Sequence, residues 1–341
     1  MKRPRKRVSL IGVAGEAESV LRDVFIDQPK AWIAQARERM KDLPKTNSDL
    51  GLRFAEEGKW FDAAFRFRVT LMLDANYPRA AYNLGCCYLR LGKPAQAREA
   101  LLKAQKLTPG NSDVIFMLAA VDPKALAPGQ RPTRMPMNLV TGYFNSVANG
   151  YDISEAQGNY QAGKVVAEFV DGALTNPAPN VLDLGCGSGI AARPWRAAAA
   201  SIHGIDVTPA MLTLAERATH ADKKLYDTLL LADVSDLANA SAANTIHLAL
   251  LVNVAQFIGD LVPVLQGISK ALAPGGLAVI TTEPYPAGGE FGLNPSTSRF
   301  GHAPEYTKKV VSAVGLTLVK EATVELYQGV PAQAYLVRKE S

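Results

Sequence analysis

From about residue 160 onward, apolar runs of strand length alternate with segments in which apolar residues recur at helical spacing. The runs "NVLDLGC", "IHGIDV" and "GGLAVITTE" have the length and composition of buried strands, whereas "AGKVVAEFVDGAL", "PAMLTLAERAT" and "LVPVLQGISKAL" have helical periodicity. This alternation is typical of βαβ units. It predicts an α/β domain with a doubly wound, mostly parallel sheet.

The pattern before residue 120 is different, because it repeats with a period of 34 residues. The aligned pairs are Leu50 with Leu84, Gly51 with Gly85, Phe54 with Tyr88, Gly58 with Gly92, and Ala63 with Ala97. The period and these residue types resemble tetratricopeptide (TPR) repeats, which are stacked helix pairs that usually bind a peptide or protein. Two repeats form only a short stack. We therefore expect further helices, at residues 17–42 and 112–120, to cap its ends.

These patterns divide the chain into four parts. Residues 1–16 are predicted to be a basic, flexible N-terminus and residues 17–122 an all-α TPR-like repeat domain. Residues 123–138 contain four prolines and no hydrophobic period, which is typical of a linker. Residues 139–341 form the α/β domain.

Composition excludes several classes of protein. With 48% hydrophobic and 20% charged residues, and without an apolar run of about 18 residues, the chain is not expected to cross a membrane. Much of the net charge of +5 lies in the first seven residues, so nucleic acid is not an expected partner. Three cysteines without a disulfide pattern, and an N-terminus that makes a poor export signal, favour the cytoplasm. The four histidines have no metal-ligand spacing, and we expect no metal site.

The stretch "VLDLGCGSGI" carries the first candidate chemistry. Gly185, Gly187 and Gly189 follow the first predicted strand, where the carboxyl ends of parallel strands form a ligand crevice. Glycines there allow the backbone to approach a ligand closely. Because Ser188 stands where the dinucleotide pattern G-x-G-x-x-G places its third glycine, the spacing disfavours NAD without excluding it.

Two acidic residues follow the next predicted strands. Asp206 closes "HGIDV", and a carboxylate at this point can accept hydrogen bonds from both ribose hydroxyls of an adenosine. Asp233 in "LLADVSDL" can accept the adenine amino group, with Val234 as an apolar wall. The alternatives are a helix cap for Asp206 and a polar turn for Asp233.

Together, "VLDLGCGSG", "GIDVTPAML", "LLADVSDL" and "KALAPGGLAVITTE" resemble class I S-adenosylmethionine-dependent methyltransferases. With the repeats in front, and with "YFNSVANGYD", "LVNVAQFIGDL" and "RFGHAPEY", the chain is most similar to bacterial predicted methyltransferases that contain TPR repeats. This resemblance implies a Rossmann-like, seven-stranded domain whose last two strands, "LTLVKEATVELY" and "VPAQAYLVRK", form an antiparallel hairpin. It implies S-adenosylmethionine as cofactor.

The resemblance also suggests a set of site residues. The expected cofactor-binding residues are Asp183, Gly185, Cys186, Gly187, Gly189, Asp206, Val207, Asp233, Val234, Asn253, Tyr151 and Tyr160. Asp183 is expected to hold the loop and the amino group of the donor, and Tyr151 and Tyr160 to cover its sulfonium. The expected catalytic residues are His302, Asn253 and Tyr160, with His302 either acting as a base or fixing its own loop.

The chain departs from this family at positions beside the expected acceptor pocket. Asn253 and Asn145 stand where relatives carry acidic residues, while Phe257 and Val147 stand where they carry tyrosine. Three functions therefore remain open. The first is a methyltransferase acting on a small molecule or protein that the repeats dock; the second is a scaffold that binds the cofactor without turnover; the third is an NAD-dependent oxidoreductase.

Overall fold

The computed structural model describes residues 30, 42–127, 129–151, 160–237, 243–285 and 289–340. The predicted basic segment 1–16, and the predicted cap 17–42 apart from Lys30 and Asp42, lie outside the described residues. Contacts divide the chain into two compact units, Met1–Gly110 and Asn111–Ser341.

The first unit contains two helix pairs, which confirm the predicted repeats. The helices are α1 (Leu43–Glu56), α2 (Trp60–Leu73), α3 (Pro78–Arg90) and α4 (Pro94–Leu107). A Cβ at Gly51 would lie 2.8 Å from the ring of Phe67, and a Cβ at Gly85 would lie 2.6 Å from Leu101 Cγ. The second contact repeats the first 34 residues later along the chain, from Gly51 to Gly85 and from Phe67 to Leu101. The period thus repeats a packing contact in which a glycine on the first helix receives a large side chain from the second.

The helix predicted to cap the repeats contributes to the core of the second unit. This helix, α5 (Ser112–Val121), belongs to the second unit, where Phe116 is fully buried. The ring of Phe116 meets that of Phe300 edge to face, with centroids 5.9 Å apart. Helix α5 therefore packs part of its apolar face, at Phe116, in the core of the α/β unit, and the end of the repeat domain at residue 122 stays a prediction.

Part of the predicted linker is attached to the second unit through its backbone. Gly259 and Asp260 both donate backbone hydrogen bonds to the carbonyl of Thr133, at 2.8 and 2.9 Å, and the Met135 amide donates to the Phe257 carbonyl at 2.8 Å. We call residues 131–135 the strap. The four prolines of residues 123–138 and their lack of period suggested a free linker, but the backbone groups of the strap find partners in the loop at 257–260.

The second unit is built on a twisted, mostly parallel sheet. The strands of this unit are β1 (Asn180–Leu184), β2 (Ser201–Asp206), β3 (Thr219–His220), β4 (Lys223–Lys224), β5 (Thr228–Leu231), β6 (Ile246–Leu251), β7 (Leu272–Pro284), β8 (Phe291–Leu293), β9 (Phe300–His302), β10 (Leu316–Tyr327) and β11 (Val330–Lys339). Strands β3 and β4 form a separate two-stranded sheet, and β8 and β9 extend the main sheet through the pairing of β9 with β7. The main order is β10-β11-β7-β6-β1-β2-β5. Strands β5, β2, β1, β6 and β7 are parallel, and β10 and β11 form an antiparallel hairpin beside β7.

Helices cover both faces of this sheet. After α5 they are α6 (Met137–Val147), α7 (Ala162–Val170), α8 (Pro209–Arg217), α9 (Val262–Ala271) and α10 (Pro304–Ala313). Alternate residues of β1 point to opposite cores, with Leu182 and Leu184 in one and Val181 in the other. Burial on both faces explains why the strands read as continuous apolar runs. The predicted seven-stranded α/β fold behind helical repeats is confirmed.

Within the described parts of the chain, no helix combines the length and apolar character needed to span a bilayer.

The position of α5 predicts where the stability of the second unit originates. We expect Phe116→Ala to lower the free energy of unfolding by about 3–5 kcal/mol, because it removes a fully buried ring from a close-packed core. The exposed Phe61→Ala, in the first unit, is the matched control and should change it by less than about 0.5 kcal/mol. Urea unfolding followed by circular dichroism measures both. Equal effects would contradict the assignment of α5 to the core.

Candidate functional site

A cleft lies at the carboxyl ends of the parallel strands, beside β1, where the order along the sheet changes direction. It encloses about 880 Å³ of empty space that is continuous with solvent. The residues that line it are Arg134, Met135, Met137, Val140, Phe144, Tyr151, Tyr160, Gly185, Cys186, Gly187, Ser188, Ile190, Ala191, Asp206, Val207, Asp233, Val234, Val252, Asn253, Val254, Phe257 and Ile258. All predicted cofactor residues except Asp183 and Gly189 are among them.

The glycine loop forms one wall of the cleft. Gly185 has a φ of +72°, and a Cβ there would lie 2.4 Å from Val254, so only glycine fits between β1 and the loop after β6. Gly187 also has a positive φ, but a Cβ there would meet nothing within 4 Å. The backbone at Gly187 therefore stands open to a ligand. The neighbouring Ser188 hydroxyl is buried and finds no hydrogen-bond partner among the residues that the structure describes.

Asp206 links this loop to the end of β2. Its Oδ2 accepts a hydrogen bond from the Gly187 amide at 3.0 Å, and its Oδ1 accepts one from the Thr208 amide at 2.8 Å. Burial raises the pKa of Asp206 above its ordinary value, and these backbone amides oppose the shift. Because an ionised carboxylate has about four acceptor positions, Asp206 retains capacity for a ligand.

Asp233 lies just after β5, and its carboxylate accepts hydrogen bonds from two donors. The Ser235 amide donates to Oδ1 at 2.8 Å, and the Arg134 guanidinium donates to Oδ2. Burial disfavours the ionised form, but these two donors outweigh it, so the pKa of Asp233 lies below its ordinary value. The carboxylate is held ionised and oriented at the rim of the cleft.

Asn253 occupies the turn that leaves β6. It adopts the left-handed backbone region with a φ of +59°, which asparagine tolerates better than most residues. Its amide donates to Thr281 Oγ1 at 2.8 Å, and its side-chain oxygen accepts from Gln256 Nε2 at 2.8 Å. The asparagine thus fixes the loop and still lines the cleft.

Aromatic side chains form the side of the cleft opposite the strands. The ring of Phe144 meets those of Phe257 and Tyr151 edge to face, with centroids 5.5 and 6.3 Å apart. Tyr160 packs on Tyr327 at 4.5 Å and also reaches the cleft. Phe144 therefore lies on the cleft wall.

Asp183 lies beneath the cleft rather than in it. Its side chain is buried, and its Oδ2 accepts a hydrogen bond from the Tyr226 hydroxyl at 2.7 Å. A Cβ at Gly189 would collide with Leu225 at 2.3 Å, so this glycine serves packing behind the loop. The structure therefore corrects the direct ligand contacts expected of Asp183 and Gly189.

His302 is also outside the cleft, and its expected catalytic role is corrected. The side chain is fully buried, its Nε2 lies 2.8 Å from the carbonyl of Ile258 and 3.1 Å from that of Gly259, and its ring stacks on Tyr306. Burial lowers the pKa of His302 to about 4, despite the two carbonyls. A neutral, buried imidazole pins the loop, which was the alternative interpretation of this residue.

Sequence reasoning missed the cleft residues that the strap and α6 supply. Arg134, Met135 and Met137 come from a proline-rich stretch without periodicity, so no pattern marked them. They reach the cleft because the strap pairs with the loop at 257–260. The one available signal was chemical, an arginine and two methionines close to the start of α6.

Comparison with known proteins agrees with this geometry. Residues 182–280 match the family model of a methyltransferase domain, and residues 78–111 match that of a tetratricopeptide repeat. Residues 182–280 are thus similar to a methyltransferase domain. The domain model covers the glycine loop, Asp206, Asp233 and Asn253, whereas the strap and the aromatic residues Phe144, Tyr151 and Tyr160 precede the matched residues.

Relatives of the methyltransferase domain are distant. The malonyl-acyl-carrier-protein O-methyltransferase of Serratia marcescens is 29% identical over 151 residues, which cover 43% of this chain and 56% of that protein. The chain thus matches only about half the length of this relative. Among solved structures, the 4+2 cyclase SpnF superposes with a TM-score of 0.50 at 15% identity over 62% of this chain and 98% of that one. The magnesium protoporphyrin IX methyltransferase of Synechocystis PCC 6803 gives 0.47 at 14% identity, covering 60% and 100%. At 15% identity, the likeness to SpnF shows the fold alone.

The buried Asp183 predicts a pH dependence of stability. Burial raises the pKa of Asp183 to about 7, although the Tyr226 hydroxyl opposes the shift. The native state therefore retains a proton that the unfolded chain releases near pH 4, so this group's contribution to the free energy of unfolding falls as the pH rises from about 4 to about 7. The Asp183→Asn variant cannot ionise at this position. The difference between its free energy of unfolding and that of the parent should therefore increase in its favour between about pH 5 and pH 7 and stay constant above about pH 7.

Urea unfolding at several pH values measures this difference. Asp227→Asn is the matched control, because Arg196 and the Ile202 amide outweigh burial and hold the pKa of Asp227 below its ordinary value. Its carboxylate is ionised in both states over the same interval, so its difference from the parent should stay constant. Parallel profiles for the parent and Asp183→Asn would show that Asp183 is not protonated in the native protein.

Proposed function

We propose that the second unit transfers a methyl group from S-adenosylmethionine to an acceptor bound beside Asn253. The observation that carries this proposal is the convergence of the open Gly187 backbone with the carboxylates of Asp206 and Asp233 on one cleft. That cleft lies at the strand ends where an α/β sheet binds its ligands, in a chain that matches the family model of a methyltransferase domain.

The charge of the cleft supports this cofactor over a dinucleotide. Among its described lining residues, the charged side chains are the carboxylates of Asp206 and Asp233 and the guanidinium of Arg134. A net negative cleft attracts a sulfonium cation and repels a pyrophosphate. No lysine or arginine lies among the described lining residues of the glycine loop, which disfavours the NAD-dependent alternative.

The residues around the cleft suit the parts of this cofactor. Asp206 accepts hydrogen bonds from the ribose hydroxyls, and Asp233 accepts one from the adenine amino group. The apolar side chains of Val207 and Val234 lie beside these carboxylates and suit the faces of the base. Tyr151 and Tyr160 present aromatic rings near the loop, where ring faces attract the sulfonium.

The protein's contribution to the reaction is alignment and exclusion of water. The cofactor supplies an already activated methyl group, so a general base is needed only when the acceptor must lose a proton. No histidine, lysine or glutamate is found among the described residues that line the cleft. This favours an acceptor that is ionised at neutral pH. A carboxylate is such a group, and the Serratia relative is an O-methyltransferase of a malonyl carrier.

A scaffold that binds the cofactor without turnover is the second candidate. The side-chain oxygen of Asn253 is already engaged by Gln256, which limits its use toward an acceptor. In addition, the 4+2 cyclase SpnF shares this fold. Release of S-adenosylhomocysteine in the presence of a carboxylate acceptor separates the two candidates, since a scaffold releases none.

The carboxylate of Asp206 provides the decisive test. We expect Asp206→Ala to weaken the affinity for S-adenosylmethionine by at least about tenfold, because charge-assisted hydrogen bonds to the ribose are lost. Isothermal titration calorimetry measures the affinity, and near-ultraviolet circular dichroism checks the fold. Asp206→Asn keeps one side-chain acceptor for the Gly187 amide and should bind with intermediate affinity.

NAD is the matched comparison ligand in the same titrations. The parent protein should bind S-adenosylmethionine in the micromolar range and NAD much more weakly. Tighter binding of NAD would overturn the cofactor assignment. An unchanged affinity of Asp206→Ala would remove Asp206 from the ribose site.

A further inference from the structure

Helix α2 of the first unit carries an exposed apolar stripe. Phe61, Phe65 and Met72 are 69%, 54% and 81% exposed, and the exposed Arg68 lies between the last two. At about 100° per residue, these four side chains fall within a sector of about 60°. We call this stripe the outer face of α2. The opposite side of the helix holds the buried Ala63 and Phe67.

The repeat architecture does not require apolar residues on this face. One period of 34 residues later, the equivalent positions on α4 are Ala95, Glu99, Leu102 and Lys106. Three of them are exposed, as is usual for a solvated helix face, and Leu102 is partly buried. The first repeat alone carries two phenylalanines and a methionine on this face, and they therefore mark a surface on which another molecule packs.

The spacing of the stripe indicates the shape of that molecule. The intervals of four, three and four residues form a straight ridge of about 16 Å, which is three turns of helix. Ridges of this kind pack against a second helix. Apolar anchors at such intervals are also the pattern by which an amphipathic helix is bound.

The charge of the unit indicates the chemistry of the partner. Residues 42–110 contain eleven lysines and arginines against seven aspartates and glutamates, so a second copy of the unit meets like charge. In the part of the chain that the structure describes, Arg68 makes no ion pair. Asp62 and Asp74, at the two ends of the helix, disfavour an anionic bilayer. An acidic amphipathic helix packs its apolar side on the ridge and pairs a carboxylate with Arg68.

We propose that the outer face of α2 docks an acidic amphipathic helix of a partner protein. Phe61, Phe65 and Met72 receive its apolar side chains, and Arg68 pairs with a carboxylate among them. This surface is independent of the cleft in the second unit. Its test therefore does not depend on the proposed methyl transfer.

A designed peptide probes this surface on the full-length protein. The probe is a fluorescent helix of about 18 residues with leucines at intervals of four, three and four and glutamates beside them, and its counterpart carries lysines instead. We expect the acidic peptide to bind at least about tenfold more tightly at low salt, with a gap that narrows as salt is added. Fluorescence anisotropy measures both affinities.

Variants locate the binding on α2. Replacing both Phe61 and Phe65 by serine should weaken the acidic peptide by at least about tenfold, since two apolar anchors are lost. Arg68→Glu should reverse the preference toward the lysine peptide. Lys106→Glu is the matched control, because it makes the same change of charge at the position one repeat after Met72, and it should leave the preference unchanged.

Four outcomes would overturn the proposal. They are equal affinity for the two peptides, undiminished binding by the double serine variant, a dimer in light scattering that the serine changes dissociate, and sedimentation with phosphatidylserine vesicles that the serine changes abolish. A peptide of residues 17–40 that displaces the acidic probe with higher affinity would assign the face to the chain itself.

Discussion

The carboxylate of Asp206 accepts two backbone hydrogen bonds that tie together the ends of neighbouring strands. One donor, the Gly187 amide, belongs to the loop after β1, and the other, the Thr208 amide, begins the helix after β2. This pairing sets the separation between the glycine loop and the rim of the cleft. It requires parallel strands that end together and a loop without side chains at its closest approach, and the rest of the site is arranged around it.

Part of the cleft lining comes from the strap and α6, which lie outside the sheet. The strap holds its backbone against the loop at 257–260, and from there Arg134 reaches Asp233. Helix α6 continues from the strap and carries Phe144 to the aromatic wall. The cleft is therefore closed by residues that precede the stretch 182–280, which matches the methyltransferase-domain model. A boundary drawn at residue 139, by composition, divides the site.

Two buried polar side chains in the second unit stabilise the fold, although residues of these types often take part in catalysis. His302, on β9, hydrogen-bonds to the backbone carbonyls after Phe257, and Asp183, on β1, accepts a hydrogen bond from Tyr226. Burial lowers the pKa of His302 and raises that of Asp183, so both side chains favour their neutral forms. Neither reaches the cleft. The methyl transfer that we propose needs no base from them, so the neutral state of both groups is consistent with a reaction driven by alignment.

The sequence alone determined the α/β fold, the repeats, and a cleft built from the glycine loop, Asp206 and Asp233, because apolar periodicity and residues after strands are local signals. The 34-residue period likewise reports a packing contact, Gly51 with Phe67 and Gly85 with Leu101. Only the tertiary structure decided that α5 joins the second unit, that Arg134 meets Asp233, and that His302 is buried. Those outcomes depend on contacts between residues distant in the chain, such as Arg134 and Asp233, which leave no periodic trace.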